Sequence, residues 1–328
     1  MRENLWKYVS AVLALLLALS TVAIAIIYHS ASPYIVPANA TVKPVEENTL
    51  NVSLRCNATF QERELEDQIS FLRSLINRTG NGTIAIVPLF GIIDEYTALQ
   101  VVPLLRELAS NSSVGGVLLW IESPGGSVGP VMEIYSEVRK LSLVKPVVAY
   151  SGGIMASGGY YVAVGADKII ADPLAEVGSI GVIYVHYNLE KNYEMNGIKV
   201  EVFKTGPYKD MGAEWRGLTE EEKEMISGMV NTYFQAFLKA VSGGRGMNMS
   251  AVKDFATGRT WFAENVTGTL VDETGGIDTA ISVLEGLMNV TGAKVVIYKN
   301  LQSPSGFTVY GSRALYLDPR YVGPYIGG

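Results

Sequence analysis

The apolar pattern begins at once. From Tyr8 to Tyr28 no side chain is charged, and an α-helix needs roughly 20 such residues to cross a bilayer. Arg2 and Lys7 precede the run. Positive charge stays on the cytoplasmic side. The pattern therefore predicts a single-pass anchor in the cell membrane, with a cytoplasmic N-terminus and the rest of the chain outside the cytoplasm. A cleaved signal peptide is the alternative, but its apolar core usually spans only ~7–15 residues. The longer run favours a retained anchor, while Ser30, Ala31 and Ser32 leave a cleavage site open.

Downstream the pattern changes. Residues 30–47 are rich in Pro, Ala and Val and read as an extended linker. Leu65, Ile69, Leu72 and Ile76 recur at helical spacing and predict a helix over 61–77. From residue 82 short apolar runs alternate with amphipathic ones. Strands are predicted at 83–90, 116–121, 147–150, 168–171, 178–185, 199–203 and 294–298. Helices are predicted at 97–109, 129–141, 157–165, 219–241 and 277–287. Thr219 with Glu222 three residues on forms a capping box for the long helix. Alternating strands and helices imply an α/β fold with a largely parallel sheet, in which loops at the carboxyl ends of strands carry the chemistry. Four segments follow: 1–29, cytoplasmic stub and anchor; 30–81, linker and helix; 82–300, the globular domain; and 301–328, an extended tail with Pro304, Pro319 and Pro324.

Charge narrows the function classes. The chain has 26 basic and 32 acidic residues, a net charge of -6, so it lacks the basic excess that a nucleic-acid partner asks for. Asn-X-Ser/Thr triplets start at Asn39, Asn51, Asn57, Asn77, Asn81, Asn111, Asn248, Asn265 and Asn289, nine of sixteen asparagines. Chance would give roughly two, and such triplets accept glycans in exported chains. Local composition bias is the plainer reading, since five of the nine lie between Ala38 and Thr83. Cys56 is the only cysteine, which leaves no intrachain disulfide. Two histidines and one cysteine supply no clustered ligand set, so neither a metal nor another cofactor is expected.

Two glycine-rich loops are chemical candidates. One is Glu122-Ser123-Pro124-Gly125-Gly126-Ser127, directly after a predicted strand. Glycine there lets the backbone turn sharply and brings N–H groups close to a ligand; an ordinary strand-to-helix turn is the plain alternative. The other is Met155-Ala156-Ser157-Gly158-Gly159-Tyr160-Tyr161, which sets a hydroxyl where a helix opens. Unpaired N–H groups and the positive dipole end suit an attacking serine and its oxyanion. A simple capping serine would look the same. For a base, His29 lies at the edge of the anchor and His186 at the end of a strand run. A lysine can serve where desolvation lowers its pKa. Lys209, in Gly206-Pro207-Tyr208-Lys209-Asp210, is such a residue or else a solvated loop lysine.

Six blocks in order resemble the signal peptide peptidase A family of Ser/Lys-dyad serine peptidases. They are Ser123-Pro124-Gly125-Gly126, Ala156-Ser157-Gly158-Gly159-Tyr160-Tyr161, Gly178-Ser179-Ile180-Gly181-Val182, Gly206-Pro207-Tyr208-Lys209-Asp210, Gly258-Arg259-Thr260 and Gly268-Thr269-Leu270-Val271-Asp272. The last departs from the family pattern at Thr269, away from the site. The resemblance implies a Clp-protease/crotonase-like spiral fold. It implies Ser157 as nucleophile, Lys209 as general base, Ser179 orienting the lysine, and the N–H groups of Gly126 and Gly158 as oxyanion hole. It also implies a homo-oligomer in which one site can draw serine and lysine from neighbouring subunits. The substrates implied are remnant signal peptides and other short hydrophobic peptides. The alternatives are a membrane Ser/Lys protease of the type that works with stomatin-like partners, a crotonase-like acyl-CoA enzyme, and an inactive scaffold at the membrane.

Overall fold

The computed structural model describes residues 80–298. The expected anchor at 8–28, the linker, the helix over 61–77 and the tail beyond 301 lie outside the described residues. Among the described residues no helix is long and apolar enough to cross a membrane.

The first strand, β1 (Gly80–Ile93), leads into α1 (Glu95–Ser110), β2 (Gly116–Gly126), α2 (Val128–Ser142) and β3 (Val147–Ser151). Then come β4 (Ile154–Ala156), α3 (Gly158–Ala163), β5 (Lys168–Ala171), β6 (Glu176–Gly178) and α4 (Glu190–Met195). The chain continues through α5 (Glu220–Arg245), α6 (Met249–Phe255), β7 (Thr260–Phe262), β8 (Glu273–Thr274), α7 (Ile277–Met288) and β9 (Ala293–Ile297). A parallel ladder runs β9-β1-β2-β3-β5-β8. The sheet is curled because β2 forks. Its first half, through Trp120, pairs β3, whereas Ser123 pairs Met155 of β4. From β4 a second ladder continues to β6 in parallel and to β7 antiparallel.

The period-2 pattern of β1 explains the layers. Ala85, Val87 and Leu89 face a core shared with α1, α2 and α5, whereas Ile84 and Ile86 face α7 through Ile277, Ile281 and Leu284. A strand buried on both faces must be apolar almost throughout, which is what the run from Ile84 to Leu89 supplies. Burying each such side chain contributes about 1.5–3 kcal/mol.

The mixed α/β class and the parallel sheet are as expected, and two predicted strands are not there. The run at 178–185 pairs only through Gly178, and 199–203 pairs with nothing among the described residues. The end of the first run and the whole of the second lie on an exposed arm, roughly residues 182–219. A strand propensity is expressed only where a neighbour offers N–H and C=O groups, and here Val200, Val202 and Phe203 face water instead; Phe203 is 93% exposed. The three-residue strands β4, β6 and β7 were not predicted. They are too short for alternation to register.

Candidate active site

Ser157 joins β4 to α3 at φ 52° and ψ −116°. A non-glycine residue held there costs of order 1–3 kcal/mol, and such strain clusters where chemistry needs it. The turn is over-determined: the Ser157 N–H donates to the Gly178 carbonyl at 2.7 Å, and its own carbonyl accepts from the Tyr161 N–H at 2.7 Å. The side chain makes no cap hydrogen bond. The residue is 1% exposed and its Oγ has no hydrogen-bond partner in the chain. A buried hydroxyl without a partner costs about 1–3 kcal/mol, so the plain capping role does not account for Ser157. A strained strand–nucleophile–helix turn is a recurring way to present an attacking serine.

Gly126 and Gly158 meet beside it. A Cβ on Gly158 would lie 2.6 Å from Val131 Cγ2 and 3.1 Å from the Gly126 nitrogen; a Cβ on Gly126 would lie 1.9 Å from the Ile93 carbonyl oxygen. Only glycine lets these backbones approach so closely. The loop between them is fixed from within, where the Gly125 N–H donates to the buried Ser123 Oγ at 3.1 Å. A cavity opens at Ser157, walled by Val131 and Met132 of α2, Tyr161 of α3, and Tyr233, Ala236 and Phe237 of α5. Tyr161 is packed edge-on against Tyr135 (4.9 Å between ring centres) and tilted against Phe237 (4.8 Å). An apolar side chain fits such a wall; a charged one would lose its water unpaired.

Ser179 belongs to this centre. It follows Gly178, the acceptor of the Ser157 N–H, and has φ 50°. Its Oγ donates to the Gly258 carbonyl at 3.1 Å.

One residue that carries the site was missed from sequence. The Glu122 carboxylate accepts from the N–H groups of Gly152, Gly153 and Ile154 at 2.6, 3.1 and 2.9 Å, and from Trp120 Nε1 at 3.1 Å. It ties the strand feeding Gly126 to the turn feeding Ser157. Its place one residue before Ser123 was the only signal, because three of its partners are backbone N–H groups thirty residues on.

Lys209 stands apart. It is exposed on the arm and is not among the residues lining the cavity. Both of its neighbours are tied to the first turn of α5. Tyr208 donates its hydroxyl hydrogen to Glu221. Asp210 receives Arg216 Nη2 at 2.7 Å, and the same guanidinium reaches Glu222 at 2.6 Å. Lys204 adds a second cation at 2.7 Å from Asp210. The Arg216 guanidinium holds both carboxyls low, Glu222 to about 2 and Asp210 well below the usual range. The cavity begins three turns further along α5, at Tyr233, about 18 Å away at 1.5 Å per residue. A lysine side chain spans roughly a third of that. Within one chain the structure brings together Ser157, Gly126, Gly158 and Ser179, and leaves Lys209 outside.

His186 is half-buried on the same arm, off any strand, and its Nε2 lies 3.1 Å from the Arg216 carbonyl oxygen, to which a protonated Nε2 would donate. Among the described residues no group of three or more His, Cys, Asp or Glu side chains is placed to hold a metal ion.

Comparison with known proteins gives two family matches. The sequence model of peptidase family S49 matches residues 139–291, and that of the Clp proteases matches residues 82–177. A putative protease of Methanocaldococcus jannaschii is 39% identical over 199 residues, 60% of this chain and 63% of that protein. A putative signal peptide peptidase of Enterococcus faecium is 34% identical over 209 residues, 63% of this chain and 61% of that protein. A putative protease of Synechocystis is 36% identical over 195 residues, covering 60% of this chain and 68% of that protein. The first two matches thus span about six tenths of those relatives' length.

Proposed function

The chain belongs to peptidase family S49, a family of serine endopeptidases, and on that premise we propose that it cleaves peptides with Ser157 as nucleophile and Lys209 of a second copy as base. The observation that carries this reading is the buried, unpartnered Ser157 hydroxyl in its strained turn, at the mouth of an apolar cavity and beside Gly126.

The chemistry follows from the positions. An apolar substrate side chain enters between α2 and α5 and sets the scissile carbonyl over Ser157. The Lys209 amine takes the hydroxyl proton while Oγ attacks the carbonyl carbon. Negative charge collects on the carbonyl oxygen, facing the N–H groups of Gly126 and Gly158; each such donor is worth about 3 kcal/mol in the transition state. The lysine then gives its proton to the leaving amine, and water, activated by the same amine, releases the acyl group. Ser179 orients the lysine.

The span along α5 between the tie of the arm and the cavity supports a second copy, and the exposed apolar row of Val200, Val202 and Phe203 offers it a surface. The substrates are remnant signal peptides and other short hydrophobic peptides. The workplace is the outer side of the cell membrane, to which the 8–28 segment anchors the enzyme.

A fluorophosphonate probe should label Ser157 in the full-length protein, and Ser157→Ala should lose both labelling and peptide hydrolysis. Lys209→Ala should lower turnover by roughly 10⁴-fold or more, whereas His186→Ala should keep most of it. Near-normal turnover in Lys209→Ala would refute the dyad.

A further inference from the structure

Five of the Asn-X-Ser/Thr triplets have their asparagine among the described residues, and three of these gather in one place. Asn81 sits where the pairing of β1 with β9 slips between Gly80 and Thr83. Asn111 caps the end of α1, and its Oδ1 accepts from the Ser113 N–H at 3.0 Å in a local turn. Asn289 caps the end of α7 with φ 55° and ψ 41°. Asn111 and Asn289 lie just past the ends of their helices, Asn81 lies at the slipped start of β1, and each is exposed or half-buried. The three segments touch. The Gly115 N–H donates to the Thr83 carbonyl at 2.8 Å, and a Cβ on Gly82 would lie 3.3 Å from Met288 Cε and 3.6 Å from Val290. They stand where β1, β2 and β9 begin, at the amino ends of the parallel strands. Gly126 and Ser157 lie at the carboxyl ends, on the opposite pole.

We infer that Asn81, Asn111 and Asn289 carry N-linked glycans, which cover the pole of the domain facing away from the catalytic cleft. The inference rests on the outward placement proposed above. The chemistry is a glycosyl transfer from a lipid-linked (pyro)phosphate oligosaccharide, delivered by a membrane transferase. The asparagine Nδ2 attacks the anomeric carbon, forming the C–N bond. The C–O bond to the lipid (pyro)phosphate breaks, that group leaves, and Nδ2 gives up one proton. Acceptors need an exposed side chain on a backbone free to bend into the transferase, and a strand slip, a turn and a helix cap provide that. Sugar at this pole would leave the cavity and the 182–219 arm open to substrate and to a second copy.

The test is peptide mapping by mass spectrometry of the full-length protein purified from its native membrane. Glycan mass is expected on all three asparagines. The variants Thr83→Val, Ser113→Ala and Thr291→Ala break the triplets while keeping the asparagines. Each should remove one glycan, and together they should leave peptide turnover within about twofold, as surface changes do. Bare asparagines at all three positions, or sugar confined to Asn248 and Asn265, would overturn the inference. Protease shaving of intact cells separates the causes. Bare asparagines on a shaved, outward-facing domain refute the glycan assignment alone. Bare asparagines on a protected domain refute the outward placement as well.

Discussion

Ser157 and Lys209 are held by different kinds of structure. Around Ser157 nearly everything is out of water: Met155, Tyr160 and Val177 are fully buried, and Ser123 with them. The strained backbone persists because close-packed neighbours leave it nowhere to relax. Around Lys209 nearly everything is in water. The arm from about 182 to 219 buries only Met211, and its order comes from Arg216 gripping Asp210 and Glu222. The proposed nucleophile is fixed by core packing within one fold. The proposed base sits on an arm fixed by ion pairs at its root, so its position depends on conditions to which the core is indifferent.

This contrast can be broken at its rigid side first. Gly126→Ala puts a methyl group 1.9 Å from the Ile93 carbonyl oxygen, so backbone must move and the proposed oxyanion donor moves with it. We expect turnover to fall by roughly 10²–10³-fold, with a lower melting temperature in the same protein. Unchanged kcat and Tm would show that the approach of these two strands is not what shapes the site.

The arm should yield next. Arg216→Ala removes the one group that joins both carboxylates, and the segment bearing Lys209 loses its ionic tie to α5, keeping only the Tyr208–Glu221 hydrogen bond. We expect kcat to drop at least about tenfold, on the scale of a base misplaced by an ångström or less, with KM for a short apolar peptide little changed. Arg216→Lys should recover only part, since a point charge cannot fork to two carboxylates. A loss confined to KM would place Arg216 in substrate binding instead.

The smallest effect is one of pH. Glu222 has its folded pKa depressed from an ordinary 4.5 to about 2 by Arg216. Its contribution is fully present above the ordinary value and is lost as pH falls through the folded one. The clamp therefore stays intact from neutral pH down to about 4.5, then weakens toward pH 2. Pepsin digestion at pH 2–3 should cut within 204–216 before it cuts β1–β3. Simultaneous loss of both regions would mean that the arm is no softer than the core.

The same contrast governs what was legible in the sequence. The Ser157 region was readable because its elements are local: the buried runs of β1 and β2 and the Gly-rich turns are short-range patterns tied to short-range physics. The arm misled. Its apolar residues at 178–185 and 199–203 predict strands, but alternation records a face that wants burial and does not say that a partner lies in the same chain. Arg216 gave no signal, because an ion pair made from an irregular segment has no period. Glu122 was hidden for a related reason, since the partners that tie it to the Ser157 turn are backbone groups of no fixed residue type. Lys209 could be told from a solvated lysine only by the ordered family blocks, and the structure still leaves it in water.

The claim at the centre of this account is that Ser157 and Lys209 meet between copies of the chain. Mixing separately purified Ser157→Ala and Lys209→Ala proteins under conditions of subunit exchange tests it directly. Each is inactive alone, but a Lys209→Ala copy still offers Ser157, and a Ser157→Ala copy still offers Lys209. The account predicts that peptide hydrolysis appears on mixing, with fluorophosphonate labelling confined to the Lys209→Ala chain. A mixture that exchanges subunits yet stays as inactive as its parents would contradict it.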